Sequence, residues 1–580
     1  MTALPELASV REVRQGVDPV LDAWLHHFRT ENNIEHLLNP TLIATPEQLR
    51  FMVALDEDQI YFPCSDKVFR MLVQPQPPME LVREYARAWR FIVMMIKAHG
   101  FDKFNERRVI HFARLRFQLA LKSGIIIPSR LVKRLVSVVL TQCGIPDPYR
   151  DSKVQANRQA ADNAGSPEVN RALQACPEDL PAACTDIRDF RWELDMIELR
   201  RLLYLSTMSE LWKNSSLEGV DFAAELNKPC GDCARLRLVF GPEEEARRKV
   251  MYLPDVSGGI IYDLRIIRAL LRMGHQVVLV LKEGFHFKTP TMWDAEFDPV
   301  LKEQLEGAMF LHDEAVTKNS LLATLREHRF VVISDGTREQ LNLYRTSVTF
   351  ARAWKECDVI LAKGRRNHEV LIESSHDYTR DILCFHRDKQ GEFHFASKPR
   401  AAGVRKFSEQ DLLGKADTII RRMREAKHAG RTIIFYSCVI GSIPGQTATA
   451  ISVVDTFVAH LRERMEQVFV INPAEHFSEG MDGDDLMFMW ERVQRSGLID
   501  VWRFQTVEDI ETSFALMGRK VPPVWSGKDS TYSTGCTKEM HIAIDMQKKH
   551  PELQIIGPAP DKFFRRREYG VGKFFDAGIK

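Results

Sequence analysis

Val250-Met251-Tyr252-Leu253, Pro254-Asp255-Val256-Ser257-Gly258-Gly259, Ile260 to Met273, Gly274-His275, then Gln276-Val277-Val278-Leu279-Val280-Leu281: this run decides the fold class. Its first four residues form an unbroken apolar stretch, as in a strand buried on both faces. From Ile260 to Met273 the apolar residues recur at helical spacing, and Gly274-His275 ends them. Gln276 to Leu281 is apolar again and rich in valine, a second strand. Strand, turn, helix and strand make the repeating unit of a parallel α/β sheet. Ligands bind such sheets beyond the carboxyl ends of the strands, where Asp255 falls.

Working outward, Asp294 and Asp298 follow the second strand. Phe330-Val331-Val332-Ile333 reads as a third strand, ending in Ser334-Asp335-Gly336-Thr337. Asp358-Val359-Ile360-Leu361-Ala362 reads as a fourth, ending in Lys363-Gly364-Arg365-Arg366-Asn367-His368-Glu369. Carboxylates, glycines, a lysine and an asparagine thus gather at four strand ends. Hard oxygen donors suit Mg²⁺ or Mn²⁺, and a lysine suits a phosphate.

These residues resemble the metal-dependent damage-control phosphatases, the family that includes the acidic-residue methyltransferase-like proteins. The family's first motif is Asp-Asn, any residue, glycine and an acidic residue at a strand end. Here that place reads Asp255-Val256-Ser257-Gly258-Gly259, with Asp263 where a further aspartate is frequent. Asp294 resembles the second aspartate, and Lys363-Gly364-Arg365-Arg366-Asn367 reproduces the Lys-Gly-x-x-Asn motif in full. Upstream, Asp147-Pro148-Tyr149-Arg150, Lys153 and Asn157 belong to the same pattern, so the resemblance covers about residues 79–401.

The resemblance implies hydrolysis of a small phosphorylated metabolite with a divalent metal: Mg or Mn, with Co or Ni as alternatives. It implies Asp255 and Asp294 as metal ligands and Asp255, Asp294, Lys363 and Asn367 as catalytic residues. Gly258, Gly259, Lys363 and Gly364 would bind the phosphate, the glycines admitting it to backbone N–H groups at a helix start. Lys363 would neutralise charge developing on the transferring group. Two departures weigh against full activity: Val256 replaces the asparagine, and Gly259 replaces the acidic residue. Read without the resemblance, Asp255 caps the helix at Ile260, Asp294 opens a turn and Lys363 is a solvated loop residue. Asp162-Asn163-Ala164-Gly165 spells the same first motif, but no apolar strand precedes it, so it reads as the end of a polar helix.

A chain of 580 residues is too long for one ordinary domain. With 44% hydrophobic residues it can bury several cores, and a formal net charge of +1 selects neither nucleic acid nor a membrane surface. No apolar run reaches the roughly 18 residues that a membrane span needs. The N-terminus lacks the apolar core of a signal peptide. Ten scattered cysteines read as reduced thiols, which points to the cytoplasm. Cys230-Gly231-Asp232-Cys233 has no second pair at zinc-site spacing.

Three regions are expected: a helical domain over 1–245, an α/β Rossmann-like parallel-sheet domain over 246–401, and a second α/β domain over 405–580. In the first, helices are expected at Pro19 to Phe28, Pro46 to Leu55, Glu80 to His99, Arg107 to Leu121 and Ser129 to Gln142. Gly165 to Asp189 reads as a loop and Phe190 to Trp212 as one long helix. In the second region, Phe297 to Leu311, Asn319 to His328 and Asn342 to Lys355 read as helices, and Asp381 to Phe385 with Phe393 to Phe395 as a hairpin.

The third region alternates strands and helices and resembles no family. Its Gly441-to-Thr447 loop, with Gly441, Gly445 and Thr447, has the placement of a P-loop, but Gln446 stands where the phosphate-binding lysine belongs. Lys528 and Cys536 lie in the polar run Ser526 to Lys538, before a helix whose start could lower a thiol pKa. These five residues form a possible second site. Besides a phosphatase, the chain could be a bifunctional enzyme or transferase with a nucleotide-binding C-terminal domain, or a non-catalytic ligand-binding protein.

Overall fold

The computed structural model describes residues 7–34, 42–56, 58–98, 100–144, 146–214, 217, 219–228, 233–241, 247–443 and 445–568. The chain divides into two compact units, residues 1–404 and 405–580.

The first unit is built on a seven-stranded sheet. Its strands are Lys249–Leu253 (β1), Gln276–Leu281 (β2), Met309–Leu311 (β3), Phe330–Ser334 (β4), Val359–Lys363 (β5), Asp381–Arg387 (β6) and Phe393–Lys398 (β7). Their order is β3-β4-β2-β1-β5-β6-β7. All neighbours are parallel except β6 and β7, which form the expected antiparallel hairpin. The chain leaves β1 for β2 on one side and returns to β5 on the other. The carboxyl ends of β1 and β5 therefore flank the point where strand order reverses, the place for a ligand crevice.

Side chains of a strand alternate between its faces, and each face here has its own core. Met251, Leu253, Val278 and Val280 join one cluster, Val250, Tyr252, Val277 and Leu279 the other. The first face is covered by Met79–Ala98 (α1), Lys103–Ser123 (α2) and Pro128–Cys143 (α3), through Leu81, Ile92, Val109, Leu131 and Leu135. The second is covered by Arg150–Ala164 (α4), Ile187–Thr207 (α5) and Gly259–Arg272 (α7), with the single turn Glu210–Lys213 (α6) between them in the chain. The helical region and the sheet thus share both cores. At about 1.5–3 kcal/mol per buried large apolar side chain, neither could shed the other without exposing a full layer.

Several elements differ from the expectation. Inside the expected loop 165–189, Ser166 accepts a hydrogen bond from Val169 N and starts the helix Pro167–Gln174. A serine N-cap followed by proline is a helix start. The long helix expected up to Trp212 ends at Thr207, where Met208 turns extended, and resumes as α6. Phe297 to Leu311 is helical only over Pro299–Gln304; Met309–Leu311 is the edge strand β3. The helix expected from Asn342 begins at Val348, capped by Ser347. Asp162-Asn163-Ala164 does end a helix, α4.

The second unit has a four-stranded parallel sheet of Thr432–Ser437 (β8), Val468–Ile471 (β9), Val501–Phe504 (β10) and Gln554–Ile556 (β11), in the order β11-β10-β8-β9. Its helices include Glu409–His428 (α8), Thr447–Arg464 (α9), Gly483–Gln494 (α10), Val507–Leu516 (α11) and Thr534–Lys549 (α12). A reciprocal Ser408–Asp411 capping box opens α8. Strand order reverses between β8 and β10. No described helix of either unit is long and apolar enough to cross a membrane.

Candidate functional site

The turn after β1 carries the first candidates. α7 starts at Gly259, and no side chain caps it, so Asp255 is not its cap. Asp255 is half-buried and lies against the backbone of the neighbouring strand end. A Cβ on Gly364 would sit 2.4 Å from Asp255 Cγ, and Gly364 has φ +100°. Close approach and left-handed backbone both require glycine there. The Lys-Gly pair after β5 therefore brings Asp255 and Lys363 to one place.

Lys363 is buried rather than solvated. Its Nζ donates to Asp263 Oδ1 at 2.6 Å, and Tyr252 Oη donates to the same oxygen at 2.9 Å. Burial raises the Asp263 pKa to about 6, with the Lys363 ammonium opposing the rise. Asp263 Oδ2 has no partner among the described residues. The ammonium lies at the start of α7: a Cβ on Gly259 would meet Lys363 Nζ at 2.6 Å. Trp212 packs over this turn, 2.4 Å from where a Gly258 Cβ would stand, with its ring 5.9 Å from Lys363 Nζ.

Helix α4 braces the same turn from the other side. Asn157 Oδ1 accepts from Gly258 N, while Asn157 Nδ2 donates to Asp298 Oδ2 at 2.7 Å. Asp298 in turn caps Pro299–Gln304 through Val300 N and Leu301 N. One helical turn before Asn157, Lys153 donates to both oxygens of Asp294, at 2.7 and 2.8 Å, and pairs with Asp147 at 2.6 Å. Thr291 adds two more hydrogen bonds to Asp294.

The structure thus clusters Asp255, Gly364, Lys363, Gly259 and Gly258 around the turn, and holds Asp294 through α4. Asn367 Nδ2 bonds back to Lys363 O at 2.8 Å, fixing the Lys-Gly turn. The Gly258 amide already serves Asn157. Asp335, another strand-end acid, pairs with Lys282 at 2.5 Å. Ser257 Oγ is buried with no partner among the described residues. Among the described residues no three of His, Cys, Asp and Glu are grouped to hold a metal ion. Tyr252 and Trp212 were not legible as site residues. They sit in an ordinary apolar strand and helix turn, and only packing brings them to Asp263 and Gly258.

Of the second-unit candidates, Cys536 is buried and its Sγ donates to Cys438 O at 3.3 Å. Burial pushes its thiol pKa well above the ordinary range, with Glu539 adding to the rise, so the helix start does not make a thiolate there. Gly441 and Gly445 lie exposed in the loop after β8, Thr447 is the first residue of α9, and Lys528 Nζ stands 3.5 Å over the Tyr532 ring. Cys230 lies outside the described residues; Cys233 is disulfide-bonded, against the expectation that all ten thiols are reduced, and eight other cysteines are free.

Residues 127–391 match the family of the damage-control phosphatase ARMT1-like domain. No curated protein matches the chain. Among solved structures, a DUF89 family protein from Pyrococcus horikoshii is similar at 19% identity, over 53% of this chain and 90% of that chain, with a TM-score of 0.37. The second unit lies wholly outside the family match. The family match, residues 127–391, lies inside the region of about residues 79–401 whose motifs resemble the damage-control phosphatases, and it includes Asp147, Lys153, Asp255, Asp294 and Lys363.

Proposed function

We propose that the first unit is a metal-dependent phosphatase for a small phosphorylated metabolite, acting where the ends of β1 and β5 meet. One observation carries the reading. Of the acids at this end of the sheet, Asp263, Asp294, Asp298 and Asp335 are all paired. Asp255 alone of these five accepts no hydrogen bond from a described residue, although it is half-buried. A half-buried carboxylate without a partner is costly unless a cation or ligand completes it.

The donors fit a hard divalent cation such as Mg²⁺ or Mn²⁺, with Co²⁺ or Ni²⁺ as alternatives. Asp255 would hold it with Asp294, and the unpartnered Ser257 hydroxyl is a further oxygen in the same turn. When bound, such an ion polarises phosphoryl oxygens and supplies a water nucleophile. Lys363 contributes a fixed positive charge beside the start of α7, where a phosphate is also favoured by the helix dipole. Asp263 and Tyr252 hold that ammonium in place. Asn367 and Gly364 hold the turn from which Lys363 projects. Val256 offers no oxygen, so activity is expected to be weak. The cytoplasm is the compartment that suits such a substrate.

The test is metal-dependent hydrolysis of a generic phosphoester by the wild type, Val256→Asn and Asp255→Ala. Activity that rises in Val256→Asn and vanishes in Asp255→Ala supports an attenuated phosphatase. Equal inactivity in all three, without a metal-induced thermal shift, would leave a non-catalytic ligand-binding protein. Lys153 on Asp294 and valine at position 256 are the observations that favour that second reading.

A further inference from the structure

The second unit has its own strand-order reversal, between β8 and β10, and three loops meet at its carboxyl end. Gln505 N donates to Ser437 O at 2.8 Å, and Val439 N donates to Gln505 Oε1 at 3.0 Å, so the ends of β8 and β10 are tied together. Ser530 N donates to Gln505 O at 2.9 Å, which brings the Trp525-to-Ser533 loop onto the same spot. Ser533 caps α12 by accepting from Cys536 N, and Cys536 Sγ reaches Cys438 O. The first turn of this 16-residue helix therefore stands over the end of β8.

Several polar side chains are buried around this point. Ser437, Gln505 and Ser530 are 0% exposed, and Ser442, Ser533 and Glu539 are also buried. Ser530 Oγ has no hydrogen-bond partner among the described residues. A buried hydroxyl left unpaired is unfavourable, and a ligand oxygen that accepts from it removes that cost. Lys528, two residues before it, forms no ion pair with a described residue and stands over Tyr532. Its neighbour Asp529 is spent on the loop itself, accepting from Thr531 N at 2.9 Å.

We propose that this switch point binds a phosphate group, taken by the Ser530 hydroxyl, the Thr534 and Gly535 amides at the start of α12 and the Lys528 ammonium. A helix N-terminus favours an oxyanion through its free N–H groups and its dipole. A hydroxyl and a lysine beside it supply the donor and the charge that select phosphate over a neutral ligand. Ser442, Ile443 and Gln446, from the stretch that lacks a P-loop lysine, would form the opposite wall. Trp525 Nε1 donates to Gln446 Oε1 at 3.3 Å and joins that wall to the Ser530 loop. Lys528 thus supplies, from another loop, the cation absent at position 446.

The test is equilibrium binding of radiolabelled orthophosphate to the full chain in excess EDTA, which silences any metal-dependent site in the first unit. The wild type is expected to bind one phosphate per chain, and Lys528→Ala and Ser530→Ala to weaken it at least tenfold each. Succinate in place of phosphate should compete poorly. Should Ser530→Ala melt early, Lys528→Ala, at a half-exposed position, decides alone. No binding by the wild type, or equal affinity in both variants, overturns the proposal. Failure of the phosphatase reading would leave these results unchanged.

Discussion

Lys153 donates to both carboxylate oxygens of Asp294, at 2.7 and 2.8 Å, with its own side chain 3% exposed. The same ammonium pairs with Asp147, so one cation serves two carboxylates. Any metal ion that uses Asp294 must share it with Lys153.

This relationship makes Lys153 a competitor of the metal. Lys153→Met removes the cation and leaves Asp147 and Asp294 facing each other, at a cost of about 3 kcal/mol for breaking a buried pair. A divalent ion should then recover much of that loss. The expected outcome is a lower melting temperature without metal and a larger Mn²⁺-induced rise than in the wild type. A variant whose melting does not respond to Mn²⁺ would place Asp294 outside the metal site.

Gly258 has φ +87°, and a Cβ there would stand 2.4 Å from Trp212 Cγ. Gly258→Ala combines backbone strain with a clash against a buried ring, and should cost about 2 kcal/mol or more. Urea unfolding measures it; a midpoint equal to the wild type would mean that the turn is free to rearrange.

His376 is buried against Tyr61, and its Nε2 accepts from Phe62 N at 2.8 Å, so it is held neutral. Burial lowers its pKa to about 3, and those of His275, His368 and His386 to about 4. In the unfolded chain each returns to about 6.5. The unfolded state therefore binds more protons below that value, and stability is lost as pH falls from about 6.5 toward 4. Unfolding free energy should already be lower at pH 5.5 than at pH 7.5, before most carboxylates titrate. Because Asp263 and Glu539 pull the other way in this interval, the deciding measurement is His376→Gln, which should lessen the loss between pH 7.5 and 5.5; a loss equal to the wild type would contradict a buried neutral His376.

Glu539 has the opposite sign. It is buried in α12 and accepts from Gln494 Nε2 at 2.9 Å, and burial raises its pKa to about 7. Its contribution to stability is complete below the unfolded value near 4.3 and is lost as pH rises through about 7. Glu539→Gln should therefore stabilise the second unit at pH 8.5 and change little at pH 4.5. Thermal melts at both pH values decide it; equal effects at both would show that Glu539 is already charged when folded.

How much of this was legible in the sequence depends on the range of the interaction. Apolar runs such as Val250 to Leu253 and Val277 to Leu281 state their strands directly, because a strand buried on both faces tolerates little else. Local chemistry also places helix starts, as in the Ser408–Asp411 capping box. The reversal of strand order after β2 then puts Asp255 and Lys363 at adjacent strand ends. Short or marginal pieces were less legible: β3 is a three-residue edge strand, and its pairing with β4 outweighs the helical spacing around it.

What each strand-end group touches was decided by tertiary structure alone. Nothing near Asp294 in the chain announces that Lys153, 141 residues earlier, would occupy both its oxygens. Spacing does not reveal that Lys363 turns inward to Asp263, or that Trp212 closes over Gly258. The helix start that lowers a solvated thiol's pKa could not do so for Cys536, because packing removed the water. Periodicity and turn chemistry act over a few residues and fix elements. Charge pairing and desolvation depend on distances through space, which exist only once helices and sheet have packed.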